Sequence, residues 1–417
     1  MSKLERTKDD YLSVNLEPKD LGLYIHIPFC VRKCDYCDFL SAPGNEQSKK
    51  EYVKALLAEV QSYEGRTGGY RVQTIFIGGG TPSCIDPEDI KGIMEAIRQV
   101  FHVEEASLEA TIEVNPGTIS EQKLSCYQEA GINRISFGLQ SVDSGELKKL
   151  GRIHSYEDFR NNYQLARTLG FRNINVDLMS ALPGQTIVSW ESTLRRVAEL
   201  NPEHISAYSL IIEEGTTFYV RYRPGSSYEK DLPDEDEDRR IYAMTKQILK
   251  EYGYHRYEIS NYAKSSYECR HNNSYWIGTD YLGLGLGSAS YVDGVRFSNI
   301  QDSKQYIAAC NSYQNEKVKF EKTASILEDR IRIRREVHSL SRDEQMEEFM
   351  FLGLRRCEGI SKRDFTERFQ ITIDQIYGKV LLVLQQKELI DITEERIALT
   401  EYGIDISNMV LAEFLLN

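Results

Sequence analysis

Three cysteines, Cys30, Cys34 and Cys37, stand in the stretch "YIHIPFCVRKCDYCDF" at C-x3-C-x2-C spacing, directly behind an apolar run. Thiolates this close together bind metal or do catalysis in a chain too poor in cysteine for a disulfide scaffold. A structural zinc takes four ligands, usually as two well-separated pairs. No second C-x2-C or H-x3-H pair follows. A [4Fe–4S] cluster is also held by thiolates, ordinarily four. Three would leave one iron open to an outside ligand. The alternatives to such a cluster are zinc and inert buried cysteines, which is also the plain reading of the scattered Cys84, Cys126, Cys269, Cys310 and Cys357.

Further polar groups recur at the ends of apolar runs. "FIGGGTPS" closes one with three glycines, and without Cβ atoms the backbone N–H groups there can approach a ligand. Glu113 and Asn115 close "EATIEVNP", and Gln140 closes "RISFGLQS". Asp177 is a carboxylate among the apolar residues of "NINVDLMS", unusual in a strand unless it has a partner.

The elements that must position these groups alternate. Runs at 21–29, 72–80, 109–116, 134–141, 173–180 and 204–212 read as strands, separated by amphipathic helical segments such as 46–64 and 88–101. Six such units predict parallel strands joined by right-handed crossovers. Six do not close an eight-stranded barrel, so the expected α/β fold is a partial (β/α)6 TIM-like barrel or an open sheet. In both, the working face lies at the C-terminal ends of the strands, where the cysteine loop, GGGTP, Glu113, Gln140 and Asp177 all fall.

The 417 residues carry a net charge of -13, against a general polyanion binder and for a chain that meets small ligands. The first twenty residues are charged and lack a signal-peptide core, and no apolar run of about 18 residues occurs, so a cytoplasmic protein without a membrane span is expected. The expected organisation is an N-terminal extension over 1–20, a barrel over 21–255, a glycine-studded connecting region over 256–324 and an α-rich, winged-helix-like domain over 325–417. Residues 341–417 hold 9 Lys plus Arg against 15 Asp plus Glu, the wrong sign for a DNA-reading helix, so a lid or partner surface is expected there.

The C-x3-C-x2-C loop after the first strand of a partial barrel resembles the radical S-adenosylmethionine (SAM) superfamily. The resemblance implies that SAM chelates the fourth iron through its amino and carboxylate groups, and that one electron from the cluster cleaves SAM to a 5′-deoxyadenosyl radical. By the same resemblance Gly79, Gly80 and Thr81 meet the methionyl amino group, and Tyr24, Glu113, Gln140, Arg152 and Asp177 are SAM contacts. The flanking "HIPFC" and "CDYCDF" resemble the branch that holds oxygen-independent coproporphyrinogen III oxidase and a heme chaperone group. The oxidase carries a further cysteine two residues after the third, where this chain has Phe39, and a longer N-terminal extension.

"HNNSYW", His271 to Trp276, resembles the H-N-x-x-Y-W motif of the chaperone group. A histidine can ligate heme iron axially, and Tyr275 and Trp276 offer apolar faces to a porphyrin. The motif implies heme binding at His271. Relatives show a polar residue such as His near the end of the following glycine stretch, where this chain has Ser288-Ala289-Ser290, so the resemblance supplies no second heme ligand. His26 is read as packing and loop geometry. The resemblance spans about residue 21 to the C-terminus. It implies a heme chaperone with a [4Fe–4S] cluster, SAM and heme, partnered by a heme-acceptor protein and a small electron donor. No nucleic-acid partner is expected, and any membrane contact would be peripheral, through the acceptor. Two other readings stand beside it: the radical decarboxylation of coproporphyrinogen III propionates, and a zinc-stapled binding protein that recruits a partner through its winged helix.

Overall fold

A computed structural model describes residues 17–315 and 325–416. Six β/α units run β1 (Lys19–Ile27), α1 (Glu46–Ser62), β2 (Tyr70–Gly79), α2 (Pro87–Val100), β3 (Glu109–Val114), α3 (Glu121–Glu129), β4 (Arg134–Gln140), α4 (Ser144–Lys149), α5 (Tyr156–Thr168), β5 (Ile174–Ser180), α6 (Ile187–Ala198) and β6 (His204–Ser209). Strands β1 to β6 pair in parallel in sequence order, and β1 does not pair with β6, so the barrel is partial as expected. Residues 1–16 of the expected extension lie outside the described residues.

Strand alternation builds two different faces. Leu21, Leu23, Ile25 and Ile27 of β1 are fully buried in the main core, together with Ile90, Ile93, Met94 and Ile97 of α2. The intervening positions, Tyr24 and His26 of β1, Thr74 and Phe76 of β2, Glu113 of β3, Ser136 of β4, Asn175 and Asp177 of β5 and Ser206 of β6, face the lumen. There Asn175 donates to Ser136 and Asp177 (both 2.7 Å), and Ser136 donates to Asp177 (3.1 Å). The lumen is thus polar and cross-linked rather than filled with aliphatic side chains.

After α7 (Thr217–Tyr222) and α8 (Glu235–Glu251), the chain extends this sheet at both edges. Strands β7 (His255–Arg256) and β8 (Asn261–Ala263) follow β6. Helix α9 (Arg270–Trp276) comes next, and β9 (Asp280–Leu284) lies parallel to β1. Strands β10 (Ala289–Val292) and β11 (Val295–Asn299) continue outward, then α10 (Ser303–Asn315), and β12 (Arg334–Ser339) pairs with β11. Among the described residues, the region expected to connect two domains therefore contributes strands to this sheet, with α9 and α10 between them, and residues 316–324 of it lie outside the described residues. The glycines that spoke against helix serve close strand packing: a Cβ on Gly283 would collide with the Ala289 carbonyl.

The domain start expected at 325 falls within this sheet. Its strand β12 reads as charged helix in sequence, but an edge strand with exposed side chains carries charge readily. A second core begins at Met346. It gathers α11 (Arg342–Gly353), β13 (Ile360–Ser361), α12 (Lys362–Phe369), α13 (Ile373–Gln386), β14 (Ile390–Ile392), β15 (Arg396–Leu399), α14 (Glu401–Asp405) and α15 (Ser407–Ala412) around Phe365, Tyr377 and Phe414. The three short strands form the wing, in the order β13-β15-β14. Among the described residues no helix is long and apolar enough to cross a membrane.

Candidate functional site

The cysteine loop leaves the C-terminal end of β1 and is tied down along its length. Cys30 N donates to Ala42 O (3.1 Å), Cys37 N to Cys34 O (3.2 Å) and Asp35 N to Leu150 O (3.2 Å). His26 supports it from below, with Nε2 2.9 Å from Leu40 O and Nδ1 3.1 Å from the Tyr24 hydroxyl. This is the packing role read from sequence.

The three thiols are partly exposed and line one cavity of about 120 Å³ with Gly79, Gly80, Thr81, Glu113, Gln140, Arg152 and Asp177. Burial pushes the Cys34 and Cys37 thiols up, and the Arg152 charge opposes this at Cys34. Among the described residues no three His, Cys, Asp or Glu side chains converge as a cage for a single ion. The donor set, three thiols on one rim beside polar groups left for a further ligand, fits a thiolate-held cluster with an open position.

The glycine turn is built by close approach. A Cβ on Gly80 would stand 2.6 Å from the Phe29 carbonyl, and Gly79 has φ +110° with the His26 ring against it. The backbone N–H groups expected to face a ligand are in use. Those of Gly80 and Thr81 donate to Ile27 O (2.9 Å) and Phe29 O (2.7 Å), and that of Gly79 to Glu113 Oε2 (3.1 Å). Glu113 is half-buried, and desolvation with the nearby Asp177 charge pushes its carboxyl up to about 8. Burial likewise raises Asp177.

Arg152 is the anchor of a chain that reaches the cluster loop. It donates to the Tyr36 hydroxyl and to Asn115 Oδ1, both at 2.9 Å. Asn115 donates to Thr81 Oγ1 (2.8 Å), which stands 3.6 Å from Cys30 Sγ. Gln140 ends β4 at φ +74° and accepts from the Tyr208 hydroxyl (3.1 Å), strained backbone held at the rim of the site. His154, close by in sequence, meets Leu139 O at 3.2 Å and is held down at about 4 by burial.

Tyr24 and His271 lie elsewhere. They line a second cavity of about 300 Å³ that shares Phe39, Gly79, Glu113, Ser136 and Asp177 with the first and continues into the lumen. Helix α9 brings His271 there by seating its first N–H groups on Glu109: Arg270 N and His271 N donate to the two carboxylate oxygens at 3.1 and 3.0 Å. The His271 ring is buried and stacked on Phe76 (5.2 Å between centroids). Its Nδ1 meets Thr74 Oγ1 and its Nε2 the Tyr275 hydroxyl, both at 2.8 Å. Burial and the Arg134 charge push it down to about 3, so it is neutral. Trp276 packs under the Arg355 guanidinium (4.5 Å) rather than offering an open face.

The structure thus brings the three cysteines and seven of the eight expected SAM contacts to one rim, and sets Tyr24 and His271 deeper. Tyr36, Tyr208 and Arg134 were missed. Arg134 opens β4, where a charge at the start of an apolar strand is ordinary and gives only a weak signal. The two tyrosines had none.

Residues 24–197 match the radical SAM superfamily, and residues 340–406 match the HemN C-terminal domain. The chain is 37% identical to the heme chaperone HemW of Bacillus subtilis, over 94% of this chain and 98% of that protein. It is 34% identical to HemW of Lactococcus lactis, over 96% and 98%. Among solved structures it is similar to coproporphyrinogen III oxidase (HemN) from Escherichia coli, described as a radical SAM enzyme. The TM-score is 0.78 at 25% identity, covering 95% of this chain and 90% of that one. These likenesses leave the zinc-stapled reading without support.

Proposed function

We propose that this chain, which belongs to the family of the heme chaperone HemW within the radical SAM superfamily, binds heme and passes it to an acceptor protein in the cytoplasm. The observation that carries the reading is end-to-end similarity to HemW relatives, with the chain covering 98% of each of two of them. Cys30, Cys34 and Cys37 hold one [4Fe–4S] cluster, and SAM binds at its open iron. Such a cluster would supply one electron to SAM bound there, so a small electron donor is a second partner.

This chain's residues prepare that site. Glu113, largely protonated at neutral pH, spares the rim a second half-buried negative charge beside Asp177. The N–H groups of the glycine turn are taken by Glu113, Ile27 and Phe29, so Gly79, Gly80 and Thr81 would meet the SAM amino group, a donor, through their carbonyl oxygens. Arg152 and Gln140 offer fixed polar contacts, with Arg152 locked by Tyr36 and Asn115. Tyr24 borders the ligand from the lumen side. Heme binding involves His271, whose Nε2 must leave the Tyr275 hydroxyl to reach an iron.

Likeness to the Escherichia coli oxidase favours a second reading, oxidative decarboxylation of coproporphyrinogen III. Against it, Phe39 stands where the oxidase has a further cysteine, and it lines the site as a largely exposed apolar side chain. Anaerobic cluster reconstitution, heme titration and a coproporphyrinogen assay on one sample test the pair. About one heme retained per chain without decarboxylation supports the chaperone. Turnover without heme retention overturns it in favour of the oxidase.

A further inference from the structure

Arg134 is one of the largest fully buried side chains in the protein, and its guanidinium borders the lumen cavity. Among the described residues it forms no hydrogen bond and no ion pair, and its Nε is buried without a partner. Thr111, its neighbour across the β3–β4 ladder, also has a buried hydroxyl without a partner. A desolvated guanidinium with five donors and no acceptor is costly to leave so.

The nearby acids Glu109 and Asp177 favour the Arg134 charge through space, but their hydrogen bonds go to other groups. Glu109 accepts from the α9 backbone, and Asp177 accepts from Ser136 and Asn175. The Cys269 thiol is raised to about 12 by burial and carries no charge. The rings of Tyr24, Phe76 and His271 form one wall of the cavity and the polar Ser136, Asn175 and Ser206 another, and it runs up past Phe39 and Gly79 to the cysteine rim. Its volume of about 300 Å³ suits a short arm as it stands, and the cavity would have to widen for a porphyrin iron to reach His271.

We propose that the barrel lumen is a carboxylate site, in which Arg134 takes in a two-pronged grip a carboxylate carried on a short apolar arm that enters past Phe39. A single guanidinium with Glu113 and Asp177 close by suits a singly charged carboxylate better than a phosphate. The arm is either a propionate of heme, which rests on the heme-binding reading, or a free monocarboxylic acid, which does not.

Two measurements on the full chain separate these. Heme and heme dimethyl ester, whose propionates are blocked, are titrated into the parent, Arg134→Gln and Arg134→Lys. Thermal unfolding of the same proteins is followed in sodium propionate and in sodium chloride at equal ionic strength. The heme source predicts that the parent prefers heme to its ester by about tenfold or more, that Arg134→Gln abolishes the preference and that Arg134→Lys keeps part of it. The free-acid source predicts no such preference but a propionate-specific rise in melting temperature that Arg134→Gln loses. If Arg134→Gln does not fold, Arg134→Lys carries the comparison, because it keeps the charge and loses the fork. Absence of both effects in the parent overturns the proposal and leaves the lumen to water. If the parent binds neither heme nor ester, the heme-binding reading fails, and the propionate measurement alone decides for or against the lumen site.

Discussion

The Nε2 of His271 stands 2.8 Å from the Tyr275 hydroxyl, one helical turn away on α9. With Thr74 on Nδ1, both ring nitrogens are engaged, and the ring is a neutral, buried part of the lumen wall. Iron ligation therefore competes with a hydrogen bond that contributes about 1 kcal/mol. Tyr275→Phe removes that competitor while keeping the ring that packs on Tyr281. Heme affinity of Tyr275→Phe is expected to rise about fivefold, and His271→Ala to lose the visible band of the bound heme. Heme binding by folded His271→Ala equal to that of the parent would remove His271 as a ligand. Loss in His271→Ala with no gain in Tyr275→Phe would assign the histidine to packing the floor.

Glu113 makes stability pH-dependent. Its carboxyl, at about 8 in the fold against an ordinary 4.5, holds a proton that the unfolded chain releases. Below 4.5 both states are protonated and nothing is lost. Between 4.5 and 8 the unfolded chain binds fewer protons, so stability falls as pH rises, and above 8 the loss is complete. Glu113→Gln keeps an oxygen for the Gly79 N–H and has no charge to bury. In the cluster-free protein it is expected to match the parent near pH 5 and exceed it by about 1–3 kcal/mol near pH 8. Urea unfolding at the two pH values measures this, and an equal effect at both would show that Glu113 is ionised in the fold.

The barrel and its working rim were legible because six apolar runs carried their polar residues at one end, and period-2 alternation hides nothing there. The edge of the sheet was not legible. Gly283 is present for strand contact rather than flexibility, and Arg334–Ser339 is a strand because it pairs with β11, not because its residues prefer one. Sequence also placed His271 with the cofactors but not at the lumen floor. That location follows from Glu109 capping α9, a contact between residues about 160 positions apart.

Gly80 sets the shape of the turn below the cysteines. The Cβ of Gly80→Ala would meet the Phe29 carbonyl at 2.6 Å, and backbone cannot rotate away as a side chain can. The clash is expected to cost about 1–3 kcal/mol and to break the Thr81 N to Phe29 O bond that holds the loop. Melting temperature and iron content after anaerobic reconstitution should both fall. Unchanged iron content alongside a lower melting temperature would confine Gly80 to stability.

Arg152 ties the cluster loop to the barrel, and its loss should be read in iron before it is read in folding. Its guanidinium holds Nη1 on Asn115 and Nη2 on Tyr36, so Arg152→Met leaves two half-buried polar groups without their donor, at about 1 kcal/mol each. It also removes the positive charge that favours the Cys34 thiolate, the form that binds iron. Asn115→Ala breaks the same chain further along, at Thr81, but leaves the charge. If geometry alone mattered, the two variants would lose cluster equally. If the charge matters as well, Arg152→Met should retain less than half the parent's iron and sulfide after reconstitution, Asn115→Ala clearly more, and Arg152→Lys should fall between Arg152→Met and the parent. Full cluster content in Arg152→Met would show that the three cysteines assemble the cluster without help from this chain of contacts, and Arg152 would then be a ligand contact only.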